Sequence, residues 1–246
     1  MATLALIGVA VFVGAVLQRI SGTGTGLLLS PVLSLALGAA TGVLVTNAMT
    51  VVTACVLLTG VWNRVDWSRW RLLCAGALVG VVPGALLVGA LPAAWLQVVV
   101  GGAVLAGLAV SVGLRSAPPM PVRPAALGFG ALGGLLNVTC GVAAAAMVVN
   151  ARATRWDHAA YAATMQPTFA EFGALSVVAK LSLGAHPDLS ALSWWLLPVG
   201  LAAVLAGGAV GAWAARRVSS ERAKTVAMTL AGLGAAATVV RGLMAV

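Results

Sequence analysis

The sequence predicts an all-α polytopic membrane protein, built as an inverted-topology repeat of five plus five helical elements. The first pair of elements in each half is expected to form a broken or re-entrant helical hairpin. Three observations lead there. The first is composition: 61% of 246 residues are hydrophobic, 8% are charged and mean hydropathy is +1.08. So few polar side chains cannot cover the surface of a water-soluble domain. The second is a paired defect, in which long apolar segments are interrupted by SGTGTG at Ser21–Gly26 and by NVTCG at Asn137–Gly141. The third is the placement of the basic residues.

Apolar segments run over 4–20, 26–39, 41–61, 72–90, 94–114, 124–136, 141–151, 158–184, 191–214 and 222–244. Those near ~20 residues match a bilayer core of ~30 Å, whereas the pieces flanking the two defects are short enough to be half-helices. Arg19 is the first basic residue, behind an apolar run from Leu4, so the basic n-region of a cleavable signal peptide is missing and the first segment is expected to remain.

Of 14 Lys and Arg, eleven lie in four places: Arg64, Arg69 and Arg71; Arg115 and Arg123; Arg152 and Arg155; Arg216, Arg217, Arg222 and Lys224. The positive-inside rule puts all four in the cytoplasm. That holds if each interrupted segment returns to the side it came from; both termini are then extracytoplasmic. If 124–151 instead crossed once, the six basic residues of the last two of these places, from Arg152 to Lys224, would change face. Equivalent loops of the two halves carry opposite bias, as an inverted repeat requires. The repeats are read as 1–115 and 125–246, joined by a linker at 116–124 whose PPMPVRP run cannot continue a helix.

Lipid supplies no hydrogen bonds, so the interruptions must face protein or a wet cavity, and matched interruptions in two halves point to a transporter's binding site. Gly22, Gly24 and Gly26 let backbone N–H groups approach a ligand, and the helix beginning near Gly26 aims its positive end at the same point. That outlines an anion site. Ser21, Thr23 and Thr25 add hydroxyls, with Asn137, Thr139, Cys140 and Gly141 as the counterpart. Asn47 and Gln166 follow the first and second hairpins and are placed to complete the site. Glycines of this kind also serve close helix packing, and Asn and Thr also serve as interhelical hydrogen-bond partners.

Among the ionisable residues within spans, Arg19 is expected to attract the substrate, with an Arg19–Glu171 ion pair as the competing reading. Glu171 is a candidate for ion or proton coupling, and Lys180 is expected to snorkel to the interface. His158 and His186 read as interfacial. The tryptophans gather near segment ends as an aromatic belt.

A pI near 11.3 suggests nucleic acid in a soluble protein, but here the charge lies in short loops and no nucleic-acid partner is expected. Cys55, Cys74 and Cys140 stand apart, with no CxxC and no clustered His, so neither metal nor cofactor is expected. The expected partners are a small anionic substrate and the lipid bilayer; Gly and Ala faces leave a homodimer open.

The run QRISGTGTGLLLSPVLSLALG at 18–38, the helix through Asn47, WNRVDW at 62–67 and VPGALLVGALPAAWLQVVVG at 82–101 resemble the sulfite exporter TauE/SafE family, also called the toluenesulfonate uptake permease family. The likeness extends over essentially the whole chain. It implies a multi-pass protein of the bacterial inner membrane that handles sulfite, organosulfonates or other organic anions under an ion gradient. It carries to Ser21–Gly26, Pro31 and Asn47. The alternation of Thr23 and Thr25 with glycine, and the motif NVTCG, depart from the family's glycine-rich pattern. The function expected is secondary transport of a small anion by alternating access. Uptake rather than export, a small-anion channel, and an intramembrane enzyme using Ser21 are the alternatives. No GxSxG elbow supports the last, and the chain is not expected to be an enzyme.

Overall fold

In the computed structural model, which describes residues 2–22, 25–113, 119–183 and 194–246, ten α-helices follow one another with no strand among the described residues. They are α1 (Ala2–Ser21), α2 (Thr25–Leu37), α3 (Ala39–Leu58), α4 (Trp67–Ala90), α5 (Ala93–Gly113), α6 (Val122–Cys140), α7 (Ala144–Ala153), α8 (His158–Ser182), α9 (Leu196–Ala214) and α10 (Ser220–Met244). Each falls on one of the ten apolar segments of the sequence.

Among the described residues, six helices are long and apolar enough to cross a membrane: α1, α3, α4, α5, α9 and α10. With 13 and 10 residues, α2 and α7 reach roughly 20 and 15 Å at ~1.5 Å per residue, well short of a bilayer core. Neither of the two continues the helix before it. The Cα of Thr25 and the side chain of Leu29 both flank Gly14, so α2 lies back along α1. In the second half the N–H of Met120 donates to the carbonyl of Ala153 at 2.8 Å, so the end of α7 returns beside the start of α6.

Small residues let the backbones close. A methyl on Gly76, Gly80 or Gly84 would run into the α6 backbone at Leu127, Ala131 and Leu135, and Gly130 and Gly134 are equally tight against Leu73 and Ala77. Residue numbers rise together along this contact, so α4 and α6 are parallel. The same holds for α1 and α9, where Gly207 meets Phe12 and Gly211 meets Val16. By contrast α5 and α10 are antiparallel, Gly101 facing Ala235 and Gly242 facing Ala94. The pattern is close packing of small residues at i and i+4, the principal attraction available between helices in lipid.

Of the candidate spans, α3 is the most enclosed, with 67% of its apolar stretch buried against 22% for α9 and 28% for α5 and α10. It packs on α8, where Gly173 sits against the carbonyl of Asn47. Outward faces carry large apolar side chains such as Val79, Leu86, Leu201 and Leu233, which suits lipid and not water.

Helix starts fall into two kinds. In α4, α8 and α10 the first turn is capped by a side chain: Asp66 accepts from the N–H of Arg69, Asp157 from Ala160 and Ser219 from Arg222. The start of α7 has no side-chain cap. Its first N–H groups, like those of any uncapped helix, are left for another partner.

Candidate functional site

Among the described residues each interruption holds a glycine with a left-handed backbone. At the first, α1 ends with Ser21 and Gly22 turns at φ +76°, its N–H reaching back to the carbonyl of Gln18 at 2.9 Å. At the second, α6 ends with Cys140 and Gly141 turns at φ +70°, its N–H reaching back to the carbonyl of Asn137 at 2.8 Å. A side chain at either position would strain the turn.

The interruptions are narrower than the sequence suggests. Ser21 and Asn137–Cys140 remain helical, because their hydroxyls bond their own helix: Ser21 to the carbonyl of Leu17 and Thr139 to that of Leu135, each at 2.8 Å. A polar side chain satisfied one turn back has no need to break the helix. Thr23, Gly24, Arg115 and His186 lie outside the described residues.

One turn before each glycine stands an amide, and both amides are paired. Gln18 Nε2 donates to Gln166 Oε1 at 2.9 Å, and Gln18 Oε1 accepts from the N–H of Thr25 at 3.3 Å, bridging the first interruption. Asn137 Nδ2 donates to Asn47 Oδ1 at 3.1 Å and to Ser176 Oγ at 2.9 Å, while Asn47 Nδ2 donates to the Asn137 carbonyl at 3.3 Å. The same shift in numbering carries Gln18 to Asn137, Gly22 to Gly141 and Asn47 to Gln166. Asn47 and Gln166 are therefore each joined to the amide of one interruption. Gln18, Ser30 and Ser176 were not singled out in the sequence; for Gln18 the signal was present, an amide four residues before a glycine as at Asn137.

The two interruptions meet. A Cβ on Gly26 would lie 2.6 Å from the carbonyl oxygen of Gly141, the Ser30 hydroxyl donates to the carbonyl of Cys140, and Thr46 Cγ2 lies 3.2 Å from where a Gly141 side chain would begin. Between them is a cavity of ≈ 10 Å³, bordered by Gln18, Gly26, Thr50, Asn137, Gly141 and Phe169. That is about the room one water needs. The hydroxyls of Thr25 and Thr50 are buried there or nearby with no hydrogen-bond partner among the described residues. The junction is thus closed and polar, with donors left over. The Cys140 thiol is turned away from Ser30, lying 3.2 Å from Thr139 Oγ1 and 3.8 Å from the carbonyl of Val99.

A second cavity, of ≈ 270 Å³, reaches Ser21 from one end of the bundle and is lined by Arg152, Arg155, Trp156, His158, Tyr161 and Glu221 among others. Tyr161 Oη and Arg152 Nη1 are buried with no hydrogen-bond partner among the described residues. Guanidinium groups of this kind draw anions from solution by their field, and a phenol O–H can donate to one on contact.

The three ionisable residues within spans go to different places. The Arg19 guanidinium does not reach the junction; Nη1 lies 3.3 Å from where a Gly60 side chain would begin. Glu171 lies beside the Cys74 thiol on α4, and no Arg19–Glu171 ion pair occurs among the described residues. Lys180, expected to reach the interface, is instead 1% exposed. It follows Ser176 by one turn, on the face of α8 that holds Asn137, and lies near Cys140.

Membrane-length apolar helices around a closed polar junction define a multi-pass membrane protein. The sulfite exporter TauE/SafE family model matches residues 6–238, nearly the whole chain, and the protein belongs to that family. It is a family of membrane transporters of sulfite and related anions, in keeping with transport and not catalysis. No curated protein and no solved structure matches the chain.

Proposed function

We propose that this protein is a secondary transporter that carries a small oxyanion, sulfite or an organosulfonate, across the bacterial inner membrane by alternating access at the junction of two re-entrant hairpins. The observation that carries the reading is the junction itself: the left-handed Gly141 of one interruption packed against Gly26 of the other, buried hydroxyls without hydrogen-bond partners among the described residues, and no carboxylate on its border. Uncompensated donors in a dry site favour an acceptor-rich, negatively charged ligand. Family membership supports the same substrate class.

In this reading residues 1–115 and 125–246 are inverted repeats joined by 116–124, with both termini outside. Helix directions support it. α4 runs with α6 and α1 with α9, while α9 turns into α10, α10 opposes α5 and α5 follows α4. These links leave α1 and α6 antiparallel. The equivalent amide pairs Gln18–Gln166 and Asn47–Asn137 are what a two-fold axis between the repeats would generate. The junction being closed and the basic cavity being open correspond to a conformation that exchanges solute on the side of Arg152 and Arg155.

The test is flux in proteoliposomes across sulfite, sulfate, thiosulfate, sulfonates and carboxylates, with and without a pH gradient. Saturable flux of at least one sulfur oxyanion is expected; absence of flux for every anion defeats the reading. Replacing Arg152 and Arg155 together by glutamine should raise KM for solute offered on that side about 3- to 10-fold, with less dependence on ionic strength and little change in kcat. An unaltered salt dependence would remove the cavity from the pathway.

A further inference from the structure

The second interruption has a charge beside it that neither the fold nor the amide network uses. Lys180 is 1% exposed, and its Nζ has no hydrogen-bond partner among the described residues. An ammonium has three donors and no acceptor, and an unpaired one is among the costliest groups to bury. Such a group is retained where a ligand supplies what the protein does not.

Its position singles it out. Asn137, one turn before Gly141, donates to Ser176 at 2.9 Å, and Lys180 stands one turn beyond Ser176. Both helices advance together past this contact, so Lys180 comes level with Cys140 and Gly141, and the Cys140 thiol is the titratable group it faces from α6. Three residues beyond Gly141, α7 begins with no side-chain cap, its first N–H groups carrying the positive end of the helix. Lys180 therefore stands beside the residue that precedes Gly141, and the uncapped helix start lies three residues after that glycine. Arg19 faces Gly60 and Glu171 faces Cys74, so neither competes for this place.

We propose that Lys180 is the cation that pairs with the transported anion, holding an oxyanion of sulfite or sulfonate type at the second interruption together with the first-turn N–H groups of α7. The inference rests on the anion-transport reading and makes a sharper demand of it. When the anion leaves, the buried amine has no partner whether it keeps its proton or sheds it, so the empty protein carries an energetic defect that the ligand removes.

The test uses the full chain, purified and reconstituted, with Lys180→Met, which keeps the length of the side chain and removes its charge. Without ligand the variant should melt at a higher temperature than wild type, because a buried amine without a partner is gone. Sodium sulfite or methanesulfonate should raise the melting temperature of wild type and leave that of the variant unmoved, with chloride as control. In proteoliposomes KM should rise on the order of 30-fold or more, the usual scale for truncating one side of a buried charge pair. A variant that melts lower without ligand shows that the amine has a structural partner, and one that keeps the ligand shift and KM shows that the anion is held elsewhere; either overturns the inference while leaving the transport reading intact. A wild type that neither shifts nor transports with any anion overturns both.

Discussion

Gly80→Ala is expected to lower the unfolding free energy by about 2–3 kcal/mol, measured by denaturant titration in mixed micelles, although alanine is the better helix former. The new methyl would collide with the carbonyl of Ala131, with the N of Leu135 only 3.0 Å away. Both are backbone atoms and cannot rotate aside. Relief requires α4 and α6 to separate, which opens the whole row of Gly76, Gly80 and Gly84 against Gly130 and Gly134. Gly102→Ala is the internal control. It lies in α5 with nothing within 4 Å of the new atom, so only the helix preference acts, and it should be neutral or stabilising by up to ~1 kcal/mol. Equal costs at the two sites would show that the α4–α6 contact is not close-packed.

Asn137→Ala should cost about 2–3 kcal/mol and reduce flux by at least about tenfold. It removes the donor that serves both Asn47 Oδ1 and Ser176 Oγ, leaving the Asn47 amide oxygen buried and unpaired. The Asn137 carbonyl still accepts from Gly141 and Asn47, so the turn itself should persist. A double-mutant cycle with Asn47→Ala should therefore return a coupling of ~1 kcal/mol, since the two amides lose one shared bond. Thr139→Ala, two residues away, should change flux little, because that hydroxyl bonds the carbonyl of its own helix at 2.8 Å. Additive losses in the cycle would deny that the pair acts as a unit.

These two experiments probe features that differed in legibility. The ten helices are visible in the sequence because lipid-length apolar runs and the Gly, Pro and charged residues between them are local properties. So are the two interruptions, though their width was overstated. A polar residue in an apolar run looks like a defect until its side chain is seen to bond the preceding turn, as Ser21 and Thr139 do. Among the described residues a glycine at positive φ follows the helix end in each, Gly22 and Gly141, and sequence alone does not report which residue of the motif turns the chain.

The members of the site were less legible. Gln18 and Arg19 are neighbours in the chain, and the charged one drew the expectation of substrate contact. On a helix, adjacent residues differ by ~100° around the axis. That rotation sends Gln18 to Gln166 and the junction, and Arg19 to Gly60. Lys180 shows the same effect in the opposite sense: a position near a helix end suggests snorkelling, yet its face of α8 is the one that carries Ser176 to Asn137.

By itself the sequence determined the class of protein, the helical segments and where the chain would be interrupted, because these follow from hydropathy and from the conformational freedom of glycine. Only the tertiary structure decided that the interruptions touch, that Gln18 and Asn137 each find an amide partner across the bundle, and that Lys180 is enclosed. Those outcomes depend on how each helix is turned about its own axis, and that rotation is fixed by the glycine rows that bring α4 to α6 and α1 to α9.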